Sequence, residues 1–165
     1  ASGTALTVRL GREKFKADDG ILNARGRLSN IPFGEVGAAP VESADGILAI
    51  DCWKKIIKPS DKAALQIKNG RIKEWNAAAA PLANYLKKAG KNAMRVVEFS
   101  FGTNAFFKKP FGIILFDEKI AGTAHVAFGG WGNQRISRVH EDVVLLKPKA
   151  WIVKNGKNIP IKLGK

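Results

Sequence analysis

Residues 64–89 read ALQIKNGRIKEWNAAAAPLANYLKKA and contain two strand patterns followed by one helix pattern. Apolar and polar residues alternate over 64–68 and again over 71–75. Between them stands Asn69-Gly70, a pair that favours the positive φ angles of a two-residue hairpin turn. Residues 77–89 are typical of a helix that Asn76 caps and Gly90 ends. A hairpin beside a helix indicates an α+β fold.

Strand patterns also occur on both sides of this stretch. Residues 47–53 follow an Asp45-Gly46 turn, and a second hairpin is predicted around Asn155-Gly156. The other predicted strands cover residues 4–10, 95–101, 112–116, 123–128 and 139–146. Residues 77–89 are the one clear helix, with Leu82, Tyr85 and Leu86 on the face expected to pack on the core. The sequence predicts a single α+β domain, 1–165, mainly of antiparallel strands.

The composition restricts the class of protein. The chain has 165 residues, of which 45% are apolar and 25% charged, so an intrinsically disordered chain is excluded. Its apolar runs are far shorter than the roughly 20 residues that span a bilayer. We therefore predict a cytoplasmic protein with no membrane partner. Because the chain opens with Ala1 rather than Met, we expect that an upstream segment was removed. Cys52 is the only cysteine, so any metal ligands must be His, Asp or Glu.

The net charge is strongly positive. Lys and Arg number 28 against 14 Asp and Glu, which gives +14 at pH 7. Such a surface attracts nucleic acid or an acidic partner. The basic residues are scattered, however, and neither a recognition helix nor a ribonucleoprotein-type strand motif is present. Nucleic acid is a possible partner that no motif supports, and the charge has solubility as its simpler explanation.

Polar residues inside apolar strands are the candidates for chemistry. In VVEFSF, residues 96–101, alternation places Glu98 with Val96 and Ser100 on one face. A buried carboxylate requires a partner. The segment by itself nevertheless favours a strand whose second face meets solvent, which would leave Glu98 hydrated.

The two histidines are both close to strand patterns. His140 and Asp142 are two residues apart, so a strand presents both on one side and Glu141 on the other. His125 lies in the apolar segment 123–128, where a hydrogen-bonded core histidine is the alternative to a metal ligand.

Two further acids complete the candidate set. Glu35 is surrounded by apolar and small residues, with a water-facing loop acid as the alternative. Glu118 belongs to Asp117-Glu118-Lys119, which would ordinarily be a turn with a surface salt bridge. The nitrogen and oxygen ligands of such a set suit one or two ions of zinc, cobalt, manganese or iron. The candidates are Glu35, Glu98, Glu118, His125, His140 and Asp142.

Four phrases in order resemble those of the thermophilic metallo-aminopeptidase family, aminopeptidase T type. They are SNIPFGEV with APVE (29–36 and 39–42), EFSFGTN (98–104), DEK with GTAHVAFG (117–119 and 122–129), and HEDVVL (140–145). The resemblance implies a two-metal exopeptidase acting on peptides, with Glu35, Glu98, His125, His140 and Asp142 as ligands. It also implies that Glu118 is a ligand or the general base and that an α/β domain precedes this one. Dimer packing shapes the active sites of the family, so the expected partner is a second copy in a homodimer or a missing N-terminal domain. Glu98 lies between the two ligand groups in the chain and is the natural bridging ligand.

The sequence departs from the family pattern in places, and two functions other than that of a peptidase are also compatible with it. The segment between the histidines is short and has no tyrosine, so a contact to the transition state would come from elsewhere, with Arg135 as the candidate. A non-haem iron ring-cleaving dioxygenase could use His125, His140 and Asp142 as its triad. A third alternative is an inactive basic domain that binds RNA or an acidic partner.

Overall fold

The computed structural model describes residues 3–27, 29–131 and 137–163, which form three antiparallel sheets and a few helices. The strands and helices are β1 (Ala5–Arg9), β2 (Lys16–Asp18), β3 (Glu35–Ala38), β4 (Ser43–Ile50), β5 (Ala63–Lys68), β6 (Arg71–Trp75), α1 (Ala80–Ala89), β7 (Val96–Gly102), α2 (Ile114–Asp117), β8 (Ala124–Gly129), β9 (His140–Leu145), β10 (Ala150–Lys154) and β11 (Lys157–Ile161). Short 3-10 turns occur at Pro59–Asp61, Ala77–Ala79 and Lys91–Met94. The predicted α+β class is confirmed.

Two of the sheets share one core. The first has the order β1-β4-β5-β6 and the second the order β2-β3-β7-β8-β9, while β10 and β11 pair only with each other. Side chains from β4, β5, α1, β8 and β9 meet in a single hydrophobic cluster, in which Leu48, Leu65, Leu82 and Phe128 are fully buried. Burial of this apolar surface provides the main stabilisation of the fold.

The local predictions around the hairpin and helix are confirmed with two differences. Asn69 and Gly70 have φ angles of 52° and 68°, as the tight turn requires. Asn76 accepts a hydrogen bond from the backbone N–H of Ala79 at 3.1 Å. The chain makes a 3-10 turn first, and α1 begins at Ala80. On its apolar face Leu82 and Leu86 are buried, but Tyr85 lies at the exposed rim against Trp53, so the expectation that Tyr85 packs in the core is wrong.

Asp45-Gly46 does not form the expected turn. Both residues lie inside β4, which begins at Ser43 and pairs with β1 and β5. A Cβ at position 46 would overlap the carbonyl of Ala5, and Gly46 has a φ of 128°. This glycine therefore serves the close approach of β1 rather than a change of chain direction.

The strand expected at 112–116 is wrong as well. The apolar run instead enters the single helical turn α2, because the carboxylate of Asp117 accepts hydrogen bonds from the backbone N–H groups of Phe111 (2.6 Å) and Gly112 (2.9 Å) and closes the loop. A short apolar run without alternation has no period that distinguishes strand from helix. No helix in the described part of the chain has the length and apolar character needed to cross a membrane.

The five-stranded sheet has two functionally different faces. One face packs on the core through side chains such as Val126 and Phe128 of β8 and Val143 of β9. Alternation directs His125 and Asp142 to the opposite face. That second face carries the candidate site.

Candidate metal centre

Strand β7 lies in the middle of the five-stranded sheet and places Glu98 in a buried position. The side chains of Glu98 and Ser100 are both buried, so the interpretation that this face of the strand meets solvent is wrong. The register with β8 shifts between Val96 and Glu98, which marks a bulge or a similar irregularity of the ladder. Bulges redirect side chains and are frequent next to functional sites. The neighbouring strands and loops cover this face, which alternation within a single strand cannot indicate.

Strands β8 and β9 bring the two histidines to either side of Glu98. His125 is opposite Ser100 across the β7–β8 ladder, and its side chain is almost fully buried. His140 and Asp142 project to the same side, as predicted, with His140 Nε2 3.3 Å from Asp142 Oδ2. Glu141 points the other way and accepts a hydrogen bond from the indole N–H of Trp53 at 3.0 Å.

The carboxylate of Glu98 has one oxygen directed toward each histidine. Its Oε1 accepts a hydrogen bond from the hydroxyl of Ser100 at 2.7 Å and lies 3.6 Å from Nε2 of His125. Its Oε2 lies 3.5 Å from Nε2 of His140. Ser100, which lies on the same face of β7, fixes the orientation of this carboxylate.

Strand β3 contributes Glu35 from the other side of β7. Glu35 pairs with Gly102 in the sheet, and its Oε2 lies 3.1 Å from Nε2 of His125. The side chain is 14% exposed, so the alternative of a water-facing loop acid does not hold.

Asp117, Glu118 and Lys119 are all buried, which overturns the interpretation of a turn with a surface salt bridge. The ammonium of Lys119 lies 2.7 Å from Oε1 of Glu35 and 2.9 Å from Oε1 of Glu118. These contacts are ion pairs without the alignment of hydrogen bonds. Lys119 is the main residue of the site that sequence reasoning missed. The sequence offered one signal for it: Lys119 follows closely on the apolar run 112–116, precedes Ile120 and belongs to one of the family phrases.

The six predicted residues form three overlapping groups whose possible ligand atoms lie within 4.8 Å of one another. The chemistry of these donors fits divalent cations. The three groups contain four carboxylates, of which Glu35 and Glu118 share the buried ammonium of Lys119. Nδ1 of His125 is buried with no hydrogen-bond partner among the described residues. Imidazole and carboxylate together suit zinc, cobalt, manganese or iron. The groups are Glu35, Glu98 and His125; Glu98, His140 and Asp142; and Glu118, His125 and Asp142.

Mutual contacts shift the protonation of the cluster. Burial by itself lowers the pKa of His125, but Glu35 and Glu98 outweigh it and raise the pKa to about 10. Burial likewise lowers the pKa of His140, and Asp142 raises it to about 9. For Glu35 burial acts upward, yet His125 and Lys119 bring the pKa down to about 2. The pKa of Glu118 is raised by burial and by the charge of Asp142.

The cluster opens toward solvent at His140. The side chain of His140 is 34% exposed, and those of Glu35, Glu98, Glu118 and His125 are 14% exposed or less. Trp131 lies beside this opening, with its ring centroid 5.7 Å from that of His140. Arg135, the candidate for a contact to the transition state, lies outside the described residues.

No protein-family model matches the sequence, and no curated protein matches it. Solved structures match the fold. The 2,5-dihydroxypyridine dioxygenase of Pseudomonas putida superposes with a TM-score of 0.67 and 21% identity over 85% of this chain. AmpT of Thermus thermophilus superposes with a TM-score of 0.66 and 18% identity over 96% of this chain. In each case the match covers 46% of the neighbour's chain, so the present chain spans a little less than half of either protein. At these identities the likeness concerns the fold, and both neighbours are enzymes.

Proposed function

We propose that this protein is a metal-dependent hydrolase that removes N-terminal residues from peptides, with two divalent ions held side by side. The observation that carries the proposal is the position of Glu98, whose two oxygens are directed toward two different histidines. A carboxylate in this position would suit as a ligand shared by two ions about 3.5–4 Å apart, the usual spacing of two-metal sites.

The proposal assigns the ligands from the groups described above. Glu35, Glu98 and His125 would hold one ion, and Glu98, His140 and Asp142 the other. Zinc, cobalt or manganese in these positions would lower the pKa of a shared water and polarise the scissile carbonyl. Lys119 holds Oε1 of Glu35, which leaves Oε2 of that carboxylate directed at the His125 side of the site.

Glu118 is the residue proposed to move the proton. It is buried beside His125 and Asp142, and its Oε1 is held by Lys119. The second carboxylate oxygen would then accept a proton from the attacking water. Glu118 would deliver that proton to the departing amine. Glu118 is alternatively a further ligand through the group with His125 and Asp142.

The second candidate function is that of an iron dioxygenase, which the fold likeness to the Pseudomonas putida enzyme suggests. Its triad of two histidines and one carboxylate would have to coordinate a single ion. Each of the three possible ligand groups in the described chain contains only one imidazole. Groups with one imidazole each suit the two ions of the proposed hydrolase.

The test compares the wild type with Glu98→Gln and with Glu141→Gln, a matched variant of a buried acid outside the cluster. After loading with zinc, cobalt or manganese, we expect two ions per chain and hydrolysis of aminoacyl chromogenic substrates by the wild type and Glu141→Gln. Glu98→Gln should lose activity at least roughly 100-fold, since even groups that only support a metal ligand contribute 10–100-fold.

Other outcomes would contradict the proposal. Equal activity of the wild type and Glu98→Gln would remove the bridging role. One iron per chain with no hydrolysis would favour the dioxygenase. No bound metal together with RNA binding that weakens steeply with salt would favour the basic binding domain.

A further inference from the structure

The open side of the cluster determines what a substrate meets first. His140 is the only cluster histidine with an appreciable solvent-exposed fraction, at 34% against 1% for His125. A molecule therefore approaches the described part of the site from the His140 side. If part of a substrate binds at Glu98, His140 and Asp142, the adjoining part of that substrate lies near this opening.

Trp131 forms one wall of the opening. Its ring lies 5.7 Å from the His140 ring at an interplanar angle of 49°, and the residue is 38% exposed. The residue before Trp131, Gly130, fixes the position of the His140 ring. The backbone N–H of Gly130 donates to the carbonyl of Val139 at 2.8 Å, and its own carbonyl contacts Nδ1 of His140 at 2.7 Å. The indole lies next to this candidate ligand and still presents surface to solvent.

We propose that the indole of Trp131 is the contact surface for the side chain of the substrate's N-terminal residue, and that the preferred substrates are peptides beginning with an aromatic or large aliphatic residue. The inference rests on the proposed function and specifies its substrate class. Aromatic rings interact favourably at centroid separations of 4.5–7 Å, so a side chain adjoining a group bound near His140 is within reach of the indole.

Two other roles for Trp131 lead to different measurements. An indole that attracted the amino group of the peptide through a cation–π contact would affect every aminopeptidase substrate equally, because all of them carry that group. An indole that only shields His140 would change metal affinity and leave side-chain preference unaltered. Contact with the side chain changes the preference alone.

The experiment uses Trp131→Ala, Trp131→Phe and, as a matched control, Trp151→Ala. Trp151 is another exposed tryptophan, 52% exposed on the β10–β11 hairpin. Calorimetry on zinc-loaded protein gives the dissociation constants of L-phenylalanine and L-alanine, and kinetics gives KM for the corresponding aminoacyl anilides. The dissociation constant of zinc is measured for each variant.

For Trp131→Ala we expect roughly 3- to 10-fold weaker binding of L-phenylalanine and a matching rise in KM, the range that aromatic contacts provide. L-alanine and zinc should bind as they do to the wild type. Trp131→Phe should retain most of the preference, and Trp151→Ala should resemble the wild type. An equal effect on both amino acids, no effect on either, or a loss confined to zinc binding would overturn the inference. Absence of hydrolysis by the zinc-loaded wild type would instead overturn the proposed function.

Discussion

Lys119 illustrates how a single side chain determines the charge balance of the cluster. Its ammonium is fully buried and forms ion pairs with both Glu35 and Glu118, while Asp18 lies 4.0 Å away. Burial lowers the pKa of Lys119, but Glu118 and Glu35 more than compensate and raise it. The lysine is therefore charged at neutral pH, and it holds one oxygen of each carboxylate in place. Residues that orient ligands in this way support the binding of a metal without touching it.

Replacing Lys119 by Met should destabilise the metal-free protein, because the buried carboxylate of Glu118 loses its ion-pair partner and that of Glu35 keeps only His125. We expect the free energy of unfolding in urea with chelator to fall by about 3 kcal/mol, the lower part of the range for a broken buried pair, since the carboxylates can take up protons. Lys54→Met is the control, because Lys54 also pairs with an acid, Glu141, but is 43% exposed. A loss of about 1 kcal/mol or less is expected there. Equal losses in the two variants would show that burial of the Lys119 pair is unimportant.

At the scale of strands, the close approach of β3 and β7 influences the orientation of Glu98 through Ser100. Gly37 lies opposite Ser100 in this pair, and a Cβ at position 37 would overlap the Ser100 hydroxyl and lie 2.6 Å from its Cβ. The hydroxyl is the donor to Glu98 Oε1. A glycine in β3 is thus linked to the orientation of the proposed bridging ligand through one side chain.

Gly37→Ala should therefore weaken metal binding even though Gly37 has no ligand atom. The added methyl displaces the Ser100 hydroxyl, and loss of such a supporting group weakens metal affinity by about 10-fold or more. Zinc titration by calorimetry measures the effect. Gly156→Ala is the control, since nothing lies within 4 Å of its added Cβ, although its positive φ of 71° will cost some stability. Unchanged zinc affinity in Gly37→Ala would contradict this account.

At the scale of the molecule, the cluster joins parts of the chain that are distant in sequence. β3, β7, β8, β9 and the residue after α2 each contribute at least one candidate ligand. Metal binding should therefore stabilise the whole fold. With free zinc at 100 times its dissociation constant, we expect about 2.7 kcal/mol of added stability per independent site and a higher Tm that chelator reverses. Glu98→Gln should abolish most of the rise in Tm. A rise of equal size in Glu98→Gln would contradict binding at this cluster.

The protonation of the cluster predicts how metal affinity depends on pH. With pKa values raised to about 10 and about 9, His125 and His140 are both protonated at pH 7.5 in the metal-free protein. A metal ion binds only the neutral imidazole, so loading should release about one proton per histidine. Affinity should accordingly rise as pH increases toward 9.

Calorimetry in two buffers of different ionisation enthalpy counts these protons. The folding stability of the metal-free protein changes with pH in the opposite direction to the metal affinity. The raised pKa values contribute stability that is fully present below the unfolded value of about 6.5 and is lost as pH rises through 9 and 10. Metal binding that released no protons would show that the histidines are neutral before loading.

The sequence alone determined those features that depend on neighbouring residues. Asn69-Gly70 selects its turn, Asn76 caps the helical segment, and the period of two places His140 and Asp142 on one side of a strand, because backbone geometry and side-chain alternation are local. The family phrases also identified the six acids and imidazoles that lie together in the structure.

Only the tertiary structure decided which of these side chains are buried and what they face. The segment around Glu98 indicated a strand with one face in solvent, and Lys119 belongs to a tripeptide that is typical of a surface turn. Both residues are nevertheless enclosed by elements from elsewhere in the chain. The run at 112–116 became part of a loop and a helical turn because Asp117 binds two of its amides. Burial and partner choice depend on how distant strands are ordered in the sheet, and a local sequence window carries no information on that order.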